Sequence, residues 1–121
     1  MSNKKLFSDT NALIYLLNGD SRVYNIFLDA EIVISFVSEI ELKSKKNLTF
    51  LELEEIKSLL GTCTIFNINS EIKDLTAEIR RNSGLKLPDA IIAATSILYK
   101  IPLVSADKIF SRIEGINLVS I

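Results

Sequence analysis

Short apolar bursts alternate along this chain with longer stretches in which apolar residues return every three or four positions, a pattern that predicts strands separated by helices. Leu6 and Phe7 make a short apolar strand that stops at Ser8-Asp9. From Thr10 to Leu17 the residues Leu13, Leu16 and Leu17 fall at helical spacing, and Asn18-Gly19-Asp20 supplies the stop. A second short helix is expected around Val23 to Leu28. Glu31 to Phe36 contains the run Ile-Val-Ile and reads as a buried strand, and Ser38 to Lys46 reads as a helix solvated on one side. Phe50 to Leu60 carries Leu51, Leu53, Ile56, Leu59 and Leu60, with Gly61 placed as a helix terminator.

The second half continues in the same way. Cys63 to Ile68 alternates weakly, as a third strand would. Ser70 is expected to cap a helix that has Glu71 in its first turn and Arg80-Arg81 in its last, charges that suit the helix dipole at both ends. Gly84 breaks that helix and Pro88 opens the next, where its missing amide costs nothing. Ala90 to Leu98 is apolar around most of its circumference, which marks a central, buried helix. Leu103-Val104 reads as a fourth strand, Asp107 to Ile113 as a short helical return, and Ile116 to Val119 as a fifth strand. Strands alternating with helices predict the α/β class, a three-layer α/β/α sandwich around a mostly parallel sheet of about five strands with right-handed crossovers.

Composition narrows this further. At 121 residues and 48% apolar content, without repeats or a Pro/Gly-rich linker, residues 1–121 are expected to form a single domain with one core. The net charge of -1 gives no global basic field, so any nucleic-acid contact needs a local patch. The nearly apolar run from Ala90 to Leu98 is far short of the roughly 20 residues that span a membrane. The N-terminus, with two lysines in Met-Ser-Asn-Lys-Lys, has no signal-peptide apolar run, and a cytoplasmic protein is expected. No histidine and one cysteine exclude internal disulfides, Cys/His zinc sites and imidazole bases. Cys63, in an apolar run, reads as a buried structural thiol. Hydrolytic chemistry here falls to carboxylates, with a metal.

Ligands of parallel sheets bind beyond the carboxyl ends of the strands. Asp9 follows the first strand, Glu41 lies about a turn into the helix after the second, and Asp107 follows the fourth, so topology puts three acids on one rim. Asp89, opening the buried helix, reaches the same rim if that helix starts there. Each acid also has a purely structural reading. Asp9 and Asp107 read as helix caps, Asp89 as a favourable first-turn charge, and Glu41 as a partner for Lys45 one turn later. As a group, four carboxylates on one edge repel, and a divalent cation is the usual reason to tolerate that. Mg2+ and Mn2+ prefer oxygen ligands and keep several waters, which suits this donor set. Asn11 and Ser105 are candidates to orient a water, a carboxylate or a phosphate oxygen, or are simple caps.

The acidic positions and their neighbours resemble the PIN-domain ribonucleases, particularly the VapC-like toxins of bacterial and archaeal toxin–antitoxin pairs, over nearly the whole chain. Asp9-Thr10-Asn11 looks like the first acidic motif of that family. Ile34-Ser-Phe-Val-Ser-Glu-Ile-Glu-Leu42 looks like the second, Leu87-Pro-Asp-Ala-Ile-Ile-Ala-Ala94 the third, and Val104-Ser-Ala-Asp-Lys-Ile-Phe110 the fourth. Ser38 and Ser105 stand where threonine is common, which keeps the hydroxyl. The second motif selects Glu41 over Glu39, two residues away and on a different helix face, and leaves Glu39 to pair with Lys43.

The resemblance implies that Asp9, Glu41, Asp89 and Asp107 bind Mg2+ or Mn2+ and catalyse RNA cleavage. It also implies a homodimer and an antitoxin whose C-terminal segment enters the site. Lys43, Lys45, Lys46, Arg80, Arg81 and Lys86 are candidate phosphate contacts, or else ordinary solvated charges. Two rival classes stand beside this. One is a catalytically weak RNA-binding or protein-interaction module with an acidic pocket. The other is aspartyl-phosphate chemistry on Asp9, which wants a second Asp where Asn11 stands; a receiver would want one near Asn67 and Asn69.

Overall fold

The computed structural model describes residues 4–121. Met-Ser-Asn at the start, which entered the reading against a signal peptide, lies outside the described residues. In chain order the elements are β1 (Lys5–Ser8), α1 (Thr10–Leu17), α2 (Ser21–Phe27), β2 (Glu31–Ser35), α3 (Phe36–Lys43), α4 (Phe50–Leu60), β3 (Thr64–Phe66), α5 (Ser70–Ser83), α6 (Leu87–Tyr99), β4 (Leu103–Ser105), a 3-10 turn (Lys108–Arg112) and β5 (Leu118–Ser120). The five strands form one sheet in the order β3-β2-β1-β4-β5. Every neighbouring pair is parallel, so the expected mostly parallel sheet is wholly parallel.

The central strand explains the layering. Side chains alternate across a strand, and in β1 both faces are buried: Leu6 packs with Ala12, Val23 and Phe27 of α1 and α2, whereas Phe7 joins Ile92, Ala93 and the other residues of α5 and α6. The same alternation recurs in β2, where Val33 faces the α5–α6 layer and Ile34 faces Leu13, Leu42, Ile56 and Leu60 of α1, α3 and α4. In β4, Leu103 and Val104 divide in the same sense. Ala90 through Ser96 are all buried, as the apolar circumference of that helix predicts. No helix among the described residues is long and apolar enough to cross a membrane.

Several boundaries differ from the sequence expectation by a residue or two, for local reasons. Asn69, not Ser70, caps α5, because its side-chain oxygen accepts the Ile72 amide at 2.8 Å. Helix α3 begins at Phe36, where Ser35 accepts the Val37 amide at 3.1 Å. Helix α6 starts one residue before Pro88, with Lys86 capping it without a side-chain hydrogen bond. The fifth strand pairs only over Leu118–Ser120, opposite Leu103–Ser105. Gly84 ends α5 in the left-handed conformation at φ 71°, which glycine adopts without a Cβ clash. Gly61 ends α4 at φ −64°, so its role there needs no glycine.

Phe110 anchors the loop after β4. It is 1% exposed and belongs to the α5–α6 core, so it pins the 3-10 turn to the sheet. Phe110→Ala is expected to lower unfolding free energy by about 3–5 kcal/mol, the usual cost of emptying a buried phenylalanine site. Chemical denaturation measures this, and a loss under about 1 kcal/mol would mean that the turn is held by something other than this ring.

Candidate active site

The winding of the chain changes sides at the centre of the sheet. From β1 it runs through α1 and α2 to β2 on one flank, while β4 lies on the other flank of β1. The carboxyl ends of β1 and β4 thus open a crevice, the position at which parallel sheets bind ligands. Asp9 is the residue after β1 and Ser105 the last of β4, with Asp107 two residues further on.

Asp9 is 5% exposed and serves as the N-cap of α1: its Oδ1 accepts the Ala12 amide at 2.8 Å. Its Oδ2 accepts the hydroxyl of Ser105 at 2.5 Å. That hydroxyl has one proton, which it donates to Asp9, and a lone pair that accepts the Asp107 amide at 2.9 Å. Asp107 then caps the 3-10 turn by accepting the Ile109 amide at 3.0 Å. Ser105, itself fully buried, therefore stitches the β1 and β4 loops together. The capping readings of Asp9 and Asp107 hold, and they coexist with placement at the crevice.

Asp89 sits at the third position of α6, half-buried, and makes no side-chain hydrogen bond among the described residues. Burial pushes its carboxyl up from the ordinary range, the charges of Asp107, Glu41 and Asp9 push it further, and Lys86 opposes them. Asp9 is also raised, first by burial; the Ser105 and Ala12 hydrogen bonds pull the other way, and the Asp107 and Glu41 charges add to the rise. Asp9 and Asp89 thus feel the charges of Glu41 and Asp107, although the chain brings the four acids from separate segments.

Glu41 is exposed on α3 and does not pair with Lys45. Lys45 instead bonds Glu52 at 2.9 Å. Glu52 is already oriented by a capping box with Thr49, and the Lys45 contact first, with the Thr49 amide and hydroxyl, holds its carboxyl down to about 2. Glu41 takes its hydrogen bond from the Thr10 hydroxyl at 2.5 Å, and Thr10 lies 2.9 Å from the Ser38 hydroxyl. Glu39 pairs with Lys43 at 3.3 Å, as its helix spacing predicts. Thr10 and Ser38 are the residues that sequence reasoning missed as site members. The available signals were the adjacency of Thr10 to Asp9 and the three-residue spacing from Ser38 to Glu41, which places both on one helix face.

The other candidates divide. Asn11 is exposed and forms no side-chain hydrogen bond among the described residues. Lys43 and Lys45 are engaged by glutamates, and the Arg80 guanidinium donates to the Leu85 carbonyl at 3.2 Å. Lys46 and Arg81 are exposed. Lys86 is the basic candidate whose charge acts on the acidic cluster. Cys63 lies apart from it, donating to the Leu59 carbonyl at 3.4 Å, and burial pushes its thiol up.

Among the described residues no three acidic or thiol side chains are drawn into a ready-made metal cage. An all-oxygen donor set that supplies only one or two carboxylates per ion is nevertheless what Mg2+ accepts, since that ion keeps most of its water. Beside Glu41, a cavity of about 320 Å3 opens between α1, α3 and α4, lined by Ile14, Leu17, Leu42, Leu48 and Ile56 below and by Glu41, Lys45, Glu52 and Glu55 at its rim.

The family model described as PIN domain matches residues 6–116. The chain is 28% identical to Ribonuclease VapC2 of Methanocaldococcus jannaschii, over all of this chain and 97% of that protein. Among solved structures, a toxin–antitoxin complex from Klebsiella pneumoniae superposes with a TM-score of 0.81 at 28% identity, covering 95% of this chain and 96% of that one. VapBC2 from Rickettsia felis, bound to a DNA fragment from its promoter, superposes with a TM-score of 0.82 at 22% identity over 96% and 98% of the two chains, a likeness of fold.

Upward shifts at Asp9 and Asp89 mean that the folded protein retains protons the unfolded chain has already lost. Their contribution to stability is therefore complete below the ordinary Asp range near 3.9 and is lost as pH rises through the folded values. Without added divalent ions, Asp89→Asn is expected to melt above the wild type at pH 8, and the gap should close as pH approaches 4. Scanning calorimetry across that range checks it, and a wild type that matches or exceeds the variant at pH 8 would contradict the electrostatic account.

Proposed function

The chain belongs to the PIN domain family, and on that footing we propose that it is a divalent-metal-dependent endoribonuclease and the toxin of a toxin–antitoxin pair. The observation that carries the reading is the crevice cluster: Asp9 and Asp89 are held partly out of water, burial raising both carboxyls first and the charges of the neighbouring acids adding to it, with Lys86 opposing the rise at Asp89. The relative named Ribonuclease VapC2 and the similar toxin–antitoxin complex support the same assignment. Mg2+ or Mn2+, held by carboxylates from the set Asp9, Glu41, Asp89 and Asp107, supplies charge stabilisation at a phosphate and a water of lowered pKa.

The chain's own residues account for the remainder. Ser105 and the Ala12 amide fix both oxygens of Asp9, so this buried carboxylate presents a set orientation. Asp89, which carries no hydrogen bond among the described residues, keeps its lone pairs for a ligand. Asp107 is tethered through one oxygen only. Lys86 lies at the edge of the cluster, where a phosphate of the substrate strand would meet positive charge.

The partners follow from the same reading. The groove beside Glu41 has an apolar floor and an acidic rim, and it suits an amphipathic segment of an antitoxin that carries a basic residue toward the acids. A homodimer, about twice the 13.5 kDa chain mass in solution, and a cytoplasmic location belong to this reading too.

Purified protein is expected to cleave single-stranded RNA with Mg2+ or Mn2+ and to stop in chelator. Asp9→Asn, which keeps an oxygen for the Ala12 amide, should lower the rate by about a thousandfold or more while remaining folded by circular dichroism. Robust cleavage in chelator would sink the proposal. For the groove, Ile14→Glu is expected to weaken binding of the cognate antitoxin by at least about tenfold in calorimetry. RNA cleavage by that variant should stay within about twofold of wild type, and unchanged binding would move the antitoxin elsewhere.

A further inference from the structure

We propose that Thr10 is a positioning residue for the acidic site, its hydroxyl holding Glu41 at the crevice as the middle link of a Ser38–Thr10–Glu41 relay. This rests on the metal-dependent reading above and assigns a role to a residue outside the four acids.

Proton counting sets the direction of the relay. An ionised carboxylate only accepts, so the 2.5 Å contact between Thr10 Oγ1 and Glu41 Oε1 uses the single Thr10 proton. Thr10 must then accept in its 2.9 Å contact with Ser38, and the Ser38 proton points to Thr10. Ser38 is fully buried and lies three residues before Glu41 on α3, so both ends of the relay belong to one helix. Thr10 reaches across from the first position of α1, the turn that Asp9 caps. One hydroxyl thereby ties the α1 turn that presents Asp9 to the α3 turn that presents Glu41.

Glu41 needs such a tether more than the other acids do. It is exposed, forms no ion pair among the described residues, and faces the negative charges of Asp9 and Asp89, which favour its swinging away into solvent. Fixing a long glutamate side chain costs rotamer entropy, and a hydrogen bond to a charged acceptor is among the interactions strong enough to offset it. Threonine suits the position because β-branching restricts χ1 and so aims the hydroxyl. The tether engages Oε1, leaving Oε2 for a cation or its water.

The test uses Mn2+ alone as the probe, measured on the RNA-free full chain by calorimetry and by electron paramagnetic resonance of the free ion. Thr10→Val keeps the shape and removes the proton, and it is expected to bind Mn2+ about tenfold more weakly or worse. Thr10→Ser restores the hydroxyl and should fall within about threefold of wild type. Melting curves establish that each variant is folded. Should Thr10→Val fail to fold, Ser38→Ala serves instead, with a loss of about threefold expected from an unsupported Thr10 hydroxyl. Wild-type affinity in a folded Thr10→Val, or in Ser38→Ala when it stands in, overturns the positioning role; so does a Thr10→Ser variant as weak as Thr10→Val. A wild type that binds no Mn2+ at millimolar concentration overturns the metal reading itself, and the proposal with it.

Discussion

Asp9 and Asp89 are kept partly out of water near the like charges of Glu41 and Asp107, and holding these acids at the crevice is the constraint to which the surrounding structure answers. Left to themselves, side chains of like charge separate into water. Here the backbone forbids it for Asp9 and Asp107, because each follows a strand whose register is fixed by pairing with β1 or β4 and by a core on both faces. The energy that holds the acids together is therefore hydrophobic in origin, supplied by residues such as Phe7, Leu103 and Phe110 that touch none of them chemically.

Hydroxyl groups do the finer work, and they do it between segments far apart in the chain. Ser105 joins Asp9 to the loop that carries Asp107, and Thr10 joins Asp9's own turn to Glu41. Structural and chemical roles are not alternatives at these positions. Asp9 is at once a helix cap and a crevice acid, and the cap is what orients it. Asp89 differs, since the start of α6 places it and no hydrogen bond among the described residues restrains its side chain. One acid held through both oxygens, two held through one oxygen each and one without a side-chain hydrogen bond among the described residues give the crevice both order and adaptability.

Much of this was legible in the chain because hydrophobic periodicity is a local property that the folded structure must respect. The short apolar runs Leu6-Phe7 and Ile32-Val-Ile34 marked two of the strands, and the apolar circumference of Ala90 to Leu98 marked the buried helix. The cap of α5 lies one residue before the expected Ser70, at Asn69, and α3 begins two residues before the expected Ser38, because neighbouring polar residues can each serve as cap and local sequence does not decide between them. The fate of Lys45 was not legible. It bonds Glu52, seven residues on and already oriented by its capping box with Thr49, and not Glu41 one turn before it. Thr10 was hidden for a related reason, its partner Glu41 lying 31 residues away.

The hydrogen bond between Ser105 and Asp9 spans 96 residues of sequence. During synthesis Asp9 is made well before β4, the strand that must insert beside β1. Until then Asp9 lacks the hydroxyl that orients it, and the crevice lacks one of its walls. A chain made only as far as α6 therefore holds Asp9, Glu41 and Asp89 without the strand that completes the crevice around them.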